Sequence, residues 1–355
     1  MDEAESLVRD AATRIFQDLG DPQTINNAND ESWRTPLWSA LEESGLTTAW
    51  VSDELGGAGA GIGAGFAVLR VAGEFAAPLP LAETLLAGWL LAQGGIVMPG
   101  RAMSVAPTRR RDTISLVDGK LSGSARAVTF ARDVEHLAVL ICDKVAGDQV
   151  ALVKASDCVC SDDQNIALEA QSEVNFDGVT PLAVATLPDG IDAAALNMMG
   201  AAARSMQMAG ALQSMLEMTV QYAEERVAFG RPIGKFQAVQ HNLARLGEEA
   251  AAAIAISSSV AHMLDNSPSW SDGGLYLDIA SAKIRVGEAA GQGAAIAHQA
   301  FGAIGFTQEH ILHRYVQRLW AWRDDFDNEA VWAAELGRKV AGLGGEGLWH
   351  HITAA

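Results

Sequence analysis

Glu224-Glu225-Arg226-Val227-Ala228-Phe229-Gly230-Arg231-Pro232-Ile233-Gly234-Lys235 joins two long Ala-rich segments and decides how the chain is read. Helical periodicity runs through 193–226 before it and 236–265 after it, so this glycine- and proline-bearing stretch is a connection at one end of a helical bundle. Three cations crowd the connection, in a chain whose 25 basic and 44 acidic side chains leave a formal net charge of −19. The planar fork of arginine suits bidentate contact with a phosphate, and a neighbouring aromatic can lie along a ring system. The competing reading is that cations at a helix end answer its last carbonyls and dipole.

Downstream, helical periods recur at 275–301, 307–322 and 328–341. His298-Gln299-Ala300-Phe301-Gly302-Ala303-Ile304-Gly305-Phe306-Thr307 breaks the first two at glycines, with a new helix expected from Thr307. Such a corner can offer backbone N–H groups to an anion, or be a plain helix–Gly–helix turn. Upstream, Thr113–Val117, Ala127–Phe130, Leu137–Cys142, Gln149–Val153 and Glu173–Phe176 are β-branched or aromatic runs. Asp118-Gly119, Ala146-Gly147-Asp148 and Asp177-Gly178 punctuate them as turns, which predicts a small antiparallel sheet. From Glu5 to about Met98 the period is helical again.

The expected fold is thus mainly α with a central small antiparallel β domain. It divides into an N-terminal helical bundle (1–108), a β domain (109–188) and a C-terminal four-helix bundle (189–355).

At 355 residues, 49% of them hydrophobic, the chain exceeds what one core usually serves and is too apolar for disorder. A charge of −19 repels phosphate backbones and excludes a nucleic-acid partner. No run reaches the roughly 20 apolar residues a bilayer requires. The acidic opening Met1-Asp2-Glu3-Ala4-Glu5 does not resemble a secretory leader. Cys142, Cys158 and Cys160 read as reduced thiols, which points to a cytoplasmic protein. His310 with His313, and His350 with His351, lack further ligands at zinc-like spacing, so no metal site is expected.

The two glycine-bearing connections, in this order, resemble the acyl-CoA dehydrogenase family of flavoproteins. Arg226-x-x-Phe229-Gly230-Arg231-Pro232-Ile233-Gly234-x-Phe236-Gln237-Ala238-Val239-Gln240-His241 is similar to its strongest C-terminal motif, and Gln299-x-x-Gly302-x-x-Gly305-Phe306-Thr307-x-Glu309-His310 to the second. Ser52 to Gly59 is similar to its Pro/Ser-x-Glu-Leu-Gly-Gly-x-Gly signature. The resemblance implies that Arg226, Phe229, Gln237, Gln299 and Gly302 hold the ADP half of FAD across a subunit interface, and that Thr129 faces the flavin. It implies an acyl-CoA substrate and an electron-transfer acceptor. In the family a glutamate removes the α-proton while hydride leaves the β-carbon for the flavin.

Here the chain departs from the pattern. The base position counted from Gln299 falls on or beside Phe326, within Asp324-Asp325-Phe326-Asp327-Asn328-Glu329, and the alternative position falls near Gly200; neither holds a glutamate. Asp325, Asp327 and Glu309 are the remaining candidates. The family's Thr-Glu-Pro-x-x-Gly-Ser-Asp loop is missing from Arg101–Arg111, and Ala127 replaces an aromatic wall. Together these predict a division of labour. This chain supplies the ADP side, and a homologous partner supplies the flavin pocket and base, as in the heterotetrameric dehydrogenases of steroid side-chain catabolism, which it also resembles through the Arg314–Arg323 helix. That helix is expected to pack on a neighbouring subunit. The alternatives are a self-sufficient homo-oligomer with a shifted carboxylate base, or a structural paralogue without cofactor.

Overall fold

A computed structural model describes residues 3–143, 147–266 and 269–353. The opening Met1-Asp2, Ala146 of a predicted turn and the side chains of His350 and His351 lie outside the described part.

Five helices come first: α1 Glu3–Leu19, α2 Pro22–Asn27, α3 Arg34–Glu43, α4 Ile62–Glu74 and α5 Leu81–Gln93. α5 is buried from Leu81 through Leu91, as a helix apolar all round must be. Eight strands follow: β1 Met103–Ala106, β2 Ile114–Val117, β3 Lys120–Thr129, β4 His136–Ile141, β5 Gln149–Lys154, β6 Val159–Cys160, β7 Gln171–Val179 and β8 Ala183–Thr186. They form two four-stranded sheets, ordered β1-β4-β5-β8 and β2-β3-β7-β6. Leu121, Val128, Val139, Val153, Val174 and Phe176 fill the space between them.

The first sheet is covered on its other face as well, where Val105, Leu140 and Val150 join the core around α5. Burial on both faces explains why β4 reads as an unbroken apolar run rather than an alternating one.

Two details correct the sequence reading. β1 pairs in parallel with β4, so the sheet is not wholly antiparallel and the span 1–108 carries one of its strands. Asp118-Gly119 makes the expected tight hairpin between β2 and β3, both residues at positive φ. Asp177-Gly178 instead sits inside β7, where the pairing with β3 shifts register between Leu121 and Ser122 and Gly178 takes φ +68°. It is a bulge, not a turn.

The C-terminal part holds α6 Ala193–Glu225, α7 Gln237–Asp265, α8 Gly273–Phe301, α9 Leu312–Asp324 and α10 Glu329–Thr353. α6 is the spine, buried almost without break from Ala195 to Leu212. α9 starts at Leu312 rather than Thr307, because Gly302–Phe306 winds into a 3-10 turn and the ring Nδ1 of His310 accepts the Leu312 N–H at 3.1 Å. Nor is α9 a helix for a neighbour alone. Trp322 is 2% and Arg318 4% exposed, and Arg318 pairs at 3.0 Å with Glu169, which precedes β7. Among the described residues, no helix is long and apolar enough to cross a membrane.

Candidate cofactor and active site

The connection after α6 folds into a two-strand hairpin, β9 Val227–Ala228 against β10 Arg231–Pro232. Phe229 and Gly230 form its two-residue turn at φ +52° and +79°. Both central residues of such a turn need positive φ, which glycine adopts freely and phenylalanine does not. The turn holds Phe229 out 95% exposed, and the Arg231 guanidinium lies 4.2 Å over the Phe236 ring. Arg226 and Gln237 are exposed beside it. Arg226, Arg231 and Lys235 enter no ion pair among the described residues, despite the acidic excess of the chain.

The glycine corner lies at the same end of the bundle. Tyr222 of α6 stacks on Phe301 of α8 with ring centres 4.3 Å apart, and its hydroxyl donates to the Phe301 carbonyl at 3.5 Å. Gly302 closes α8 at φ +65°, ψ −143°, a conformation reserved for glycine, with open space where a Cβ would stand. Gln299 is exposed one turn earlier. An unpaired fork, a displayed aromatic ring and an open glycine corner fit the ADP half of FAD.

The flavin-facing position is elsewhere. Arg204 and Arg226 stand about 33 Å apart at the helical rise along α6, and Thr129 belongs to the Arg204 end. Thr129 is 4% exposed, and its hydroxyl is covered by Gln171, whose amide donates to it at 3.5 Å and to Asp325 at 3.4 Å. The cavity alongside, of about 360 Å³, is lined by Arg109, Gln171, Trp320, Arg323, Asp324 and Asp325. The lining sets four charged side chains, Arg109, Arg323, Asp324 and Asp325, beside the apolar Ile166, Trp320 and Ala321.

The two base positions converge in space and are filled. A Cβ added to Gly200 would fall 2.4 Å from the Phe326 ring, so the phenyl group occupies the space where either carboxylate would project. Phe326 and Asp327 both take positive φ, +52° and +66°. The Trp332 indole N–H fixes that turn by donating to the Phe326 carbonyl at 2.9 Å. Two of the three candidate carboxylates are engaged elsewhere. Asp325 accepts from Arg204 at 2.9 Å, Asp327 from Arg110 at 2.5 Å, and Glu309 is exposed in the segment before α9.

Gly200→Ala is expected to cost about 1–3 kcal/mol through overpacking against Phe326. Adding Phe326→Leu should recover part of it, as read by denaturant unfolding. A neutral Gly200→Ala would mean that the ring does not sit there.

Sequence reasoning missed the group that organises this region. Arg204 is 2% exposed and donates to Glu83 of α5, to Asp325 at 3.0 Å and to Gln207 at 2.6 Å. Burial works against its charge, but the Glu83, Asp325 and Glu169 carboxylates outweigh that and hold the guanidinium above its ordinary value. Lys283 of α8, fully buried, donates to the Trp322 and Asp325 carbonyls at 2.9 and 2.8 Å, and burial pushes it down to about 7. A signal existed, since Arg204 is the only cation in α6 and Glu83 the only charge in α5. Cys142, Cys158 and Cys160 are free thiols, and burial raises Cys158 to about 12, too high for a nucleophile. No metal-binding cluster occurs among the described residues.

The profile of the acyl-CoA dehydrogenase C-terminal domain matches residues 189–322. Acyl-CoA dehydrogenase IpdE2 of Mycobacterium tuberculosis is 27% identical over 328 residues, 89% of this chain and 91% of that protein. A chain of the ChsE4-ChsE5 complex from Mycobacterium tuberculosis superposes with a TM-score of 0.85 at 21% identity, over 96% of this chain and 98% of that one. A chain from a variant of the Tcur3481-Tcur3483 steroid ACAD gives 0.81 at 24% identity, over 96% and 98%.

Proposed function

We propose that this chain, whose residues 189–322 match the acyl-CoA dehydrogenase C-terminal domain, is an oxidoreductase of that family and one subunit of an FAD-dependent hetero-oligomer that introduces an α,β double bond into a bulky acyl-CoA. A homologous subunit supplies the base. The observation that carries this reading is the Phe326 ring packed on Gly200, which leaves no space for a carboxylate at either base position. The likeness to a two-component complex and to a steroid ACAD supports a heteromeric partner and a steroid-derived acyl group.

Bound FAD supplies the two-electron acceptor, reoxidised by a separate electron-transfer protein. The residues of this chain do two things. Arg226, Phe229 and Gln237 grip the ADP side at the bundle end, with Gln299 and the Gly302 corner presenting polar and N–H groups. Because that end lies so far along α6 from Thr129, the phosphates held here belong to a flavin whose ring is seated in the partner.

The self-sufficient alternative rests on Asp325, Asp327 or Glu309 as base; the first two are committed to arginines, and Glu309 is exposed in the segment before α9. The cofactor-free alternative leaves an unpaired Arg226 and a displayed Phe229 without a purpose.

The test is to produce the chain alone and together with a homologous dehydrogenase subunit, and to measure native mass, bound flavin and anaerobic bleaching by acyl-CoA. The chain alone should carry little flavin and be inactive, and the pair should gain both. A yellow, active homo-oligomer of this chain would overturn the reading.

A further inference from the structure

A cluster of three arginines lies away from both regions, between the start of α9, the connection from α2 to α3, and the segment before Glu169. It is a cavity of about 310 Å³ whose lining includes Trp33, Arg34, His313, Arg314, Gln317 and Arg318. Three guanidinium groups converge here in a chain of net charge −19. Two have acids of their own: Arg318 pairs with Glu169 at 3.0 Å, and Arg34 with Glu31 at 2.9 Å and Asp133 at 3.8 Å. Arg314 has no acidic partner among the described residues. The Nε atoms of Arg34 and Arg314 are both buried without a hydrogen-bond partner. Of the lining acids, Glu31 is taken by Arg34, and Asp30 accepts the Ser32 N–H at 3.0 Å and joins no ion pair.

Buried donors without partners are costly, more so when charged, and an unpaired buried cation is retained only where something answers it. Arg314 and Arg318 stand one turn apart on α9, where like charges repel. The Arg318 guanidinium is held on α9, where its Nη1 donates to the Arg314 carbonyl at 3.2 Å. Burial, reinforced by Arg318 and only partly offset by Glu169, lowers Arg314 to about 10. His313 adds a ring whose Nδ1 donates to the His310 carbonyl at 2.8 Å, which leaves Nε2 as an acceptor for the P–OH of a protonated phosphate. An oxyanion with several acceptor oxygens would answer the unpaired Arg314 charge and screen the Arg314–Arg318 repulsion.

We propose that this cavity binds a phosphate group, free or as a small monoester, through Arg314, Arg34 and His313. The site is separate from the ADP grip and does not depend on the reading of that grip.

The test is calorimetric titration of the full chain carrying Arg226→Ala, so that the bundle-end cation does not contribute, with inorganic phosphate and with AMP at constant ionic strength, and with chloride as control. Binding of phosphate, of AMP or of both is expected, the pattern identifying the free or esterified form. Arg314→Gln should weaken it at least tenfold and Arg314→Lys less. Because Arg314→Gln removes an uncompensated cation, the thermal midpoint without phosphate should not fall, while the rise caused by phosphate should vanish. A change at Arg34, Arg34→Gln, checks the site from a second element and should also weaken binding. No phosphate or AMP binding, or binding untouched by both substitutions, would overturn the proposal.

Discussion

Arg204→Met is expected to destabilise the protein by roughly 3–5 kcal/mol, because it leaves two acids buried without their cation. Glu83 and Asp325 meet only through this guanidinium, and their side chains are 5% and 8% exposed. The attraction within such a group is largely offset by desolvation, so the loss measures the stranded carboxylates rather than the worth of the pairs. The combination Arg204→Met with Glu83→Leu and Asp325→Leu should therefore recover most of the loss. Urea unfolding of the single and combined variants checks both statements. A single substitution within about 1 kcal/mol of the parent would show that Arg204 does not neutralise these acids. Because Asp325 directly precedes Phe326, the single variant should also loosen the turn that keeps the phenyl group on Gly200.

Arg226→Ala should strip flavin from the assembled complex while leaving the fold of the chain intact. Arg226 is exposed and unpaired within the chain, so its removal costs little folding stability. A charge-assisted contact to a phosphate is worth about 1.5–3 kcal/mol, a roughly 10- to 150-fold weaker Kd for FAD. Flavin absorbance per complex after gel filtration, with thermal unfolding of the chain alone as the control, separates the two effects. Unchanged flavin content would remove the ADP-grip assignment and favour the cofactor-free alternative.

The long helices were legible because they repeat a 3.6-residue period over more than twenty residues, a pattern that tertiary context does not override. The short strands at Met103–Ala106 and Ala183–Thr186 were not. The first is four residues buried on every position, which carries no alternation, and its pairing in parallel with β4 is a long-range fact. At the candidate site Arg226, Phe229, Gln299 and Gly302 were named through the resemblance of their two motifs to the family's, because spacing alone equally fits plain helix ends. The Phe229-Gly230 hairpin could not, because phenylalanine is a poor signal for positive φ. The Glu83–Arg204–Asp325 group was invisible for a different reason. Its two outer members each lie 121 residues from Arg204, and no local pattern joins them. A lone charge in an otherwise apolar helix was the one trace it left.

The parallel pairing of β1 with β4 bears on how this molecule can be taken apart. Thr84 of α5 accepts the Met103 N–H at 3.0 Å, so the strand is pinned to the helical part on one side and to the sheet on the other. A fragment begun at residue 109 would shed that strand and bare the whole flank of β4, whose unpaired backbone would invite intermolecular strand addition. Any excised β module has to begin upstream of Met103, and the seam between helical and β parts is stitched by shared backbone rather than joined by a severable linker.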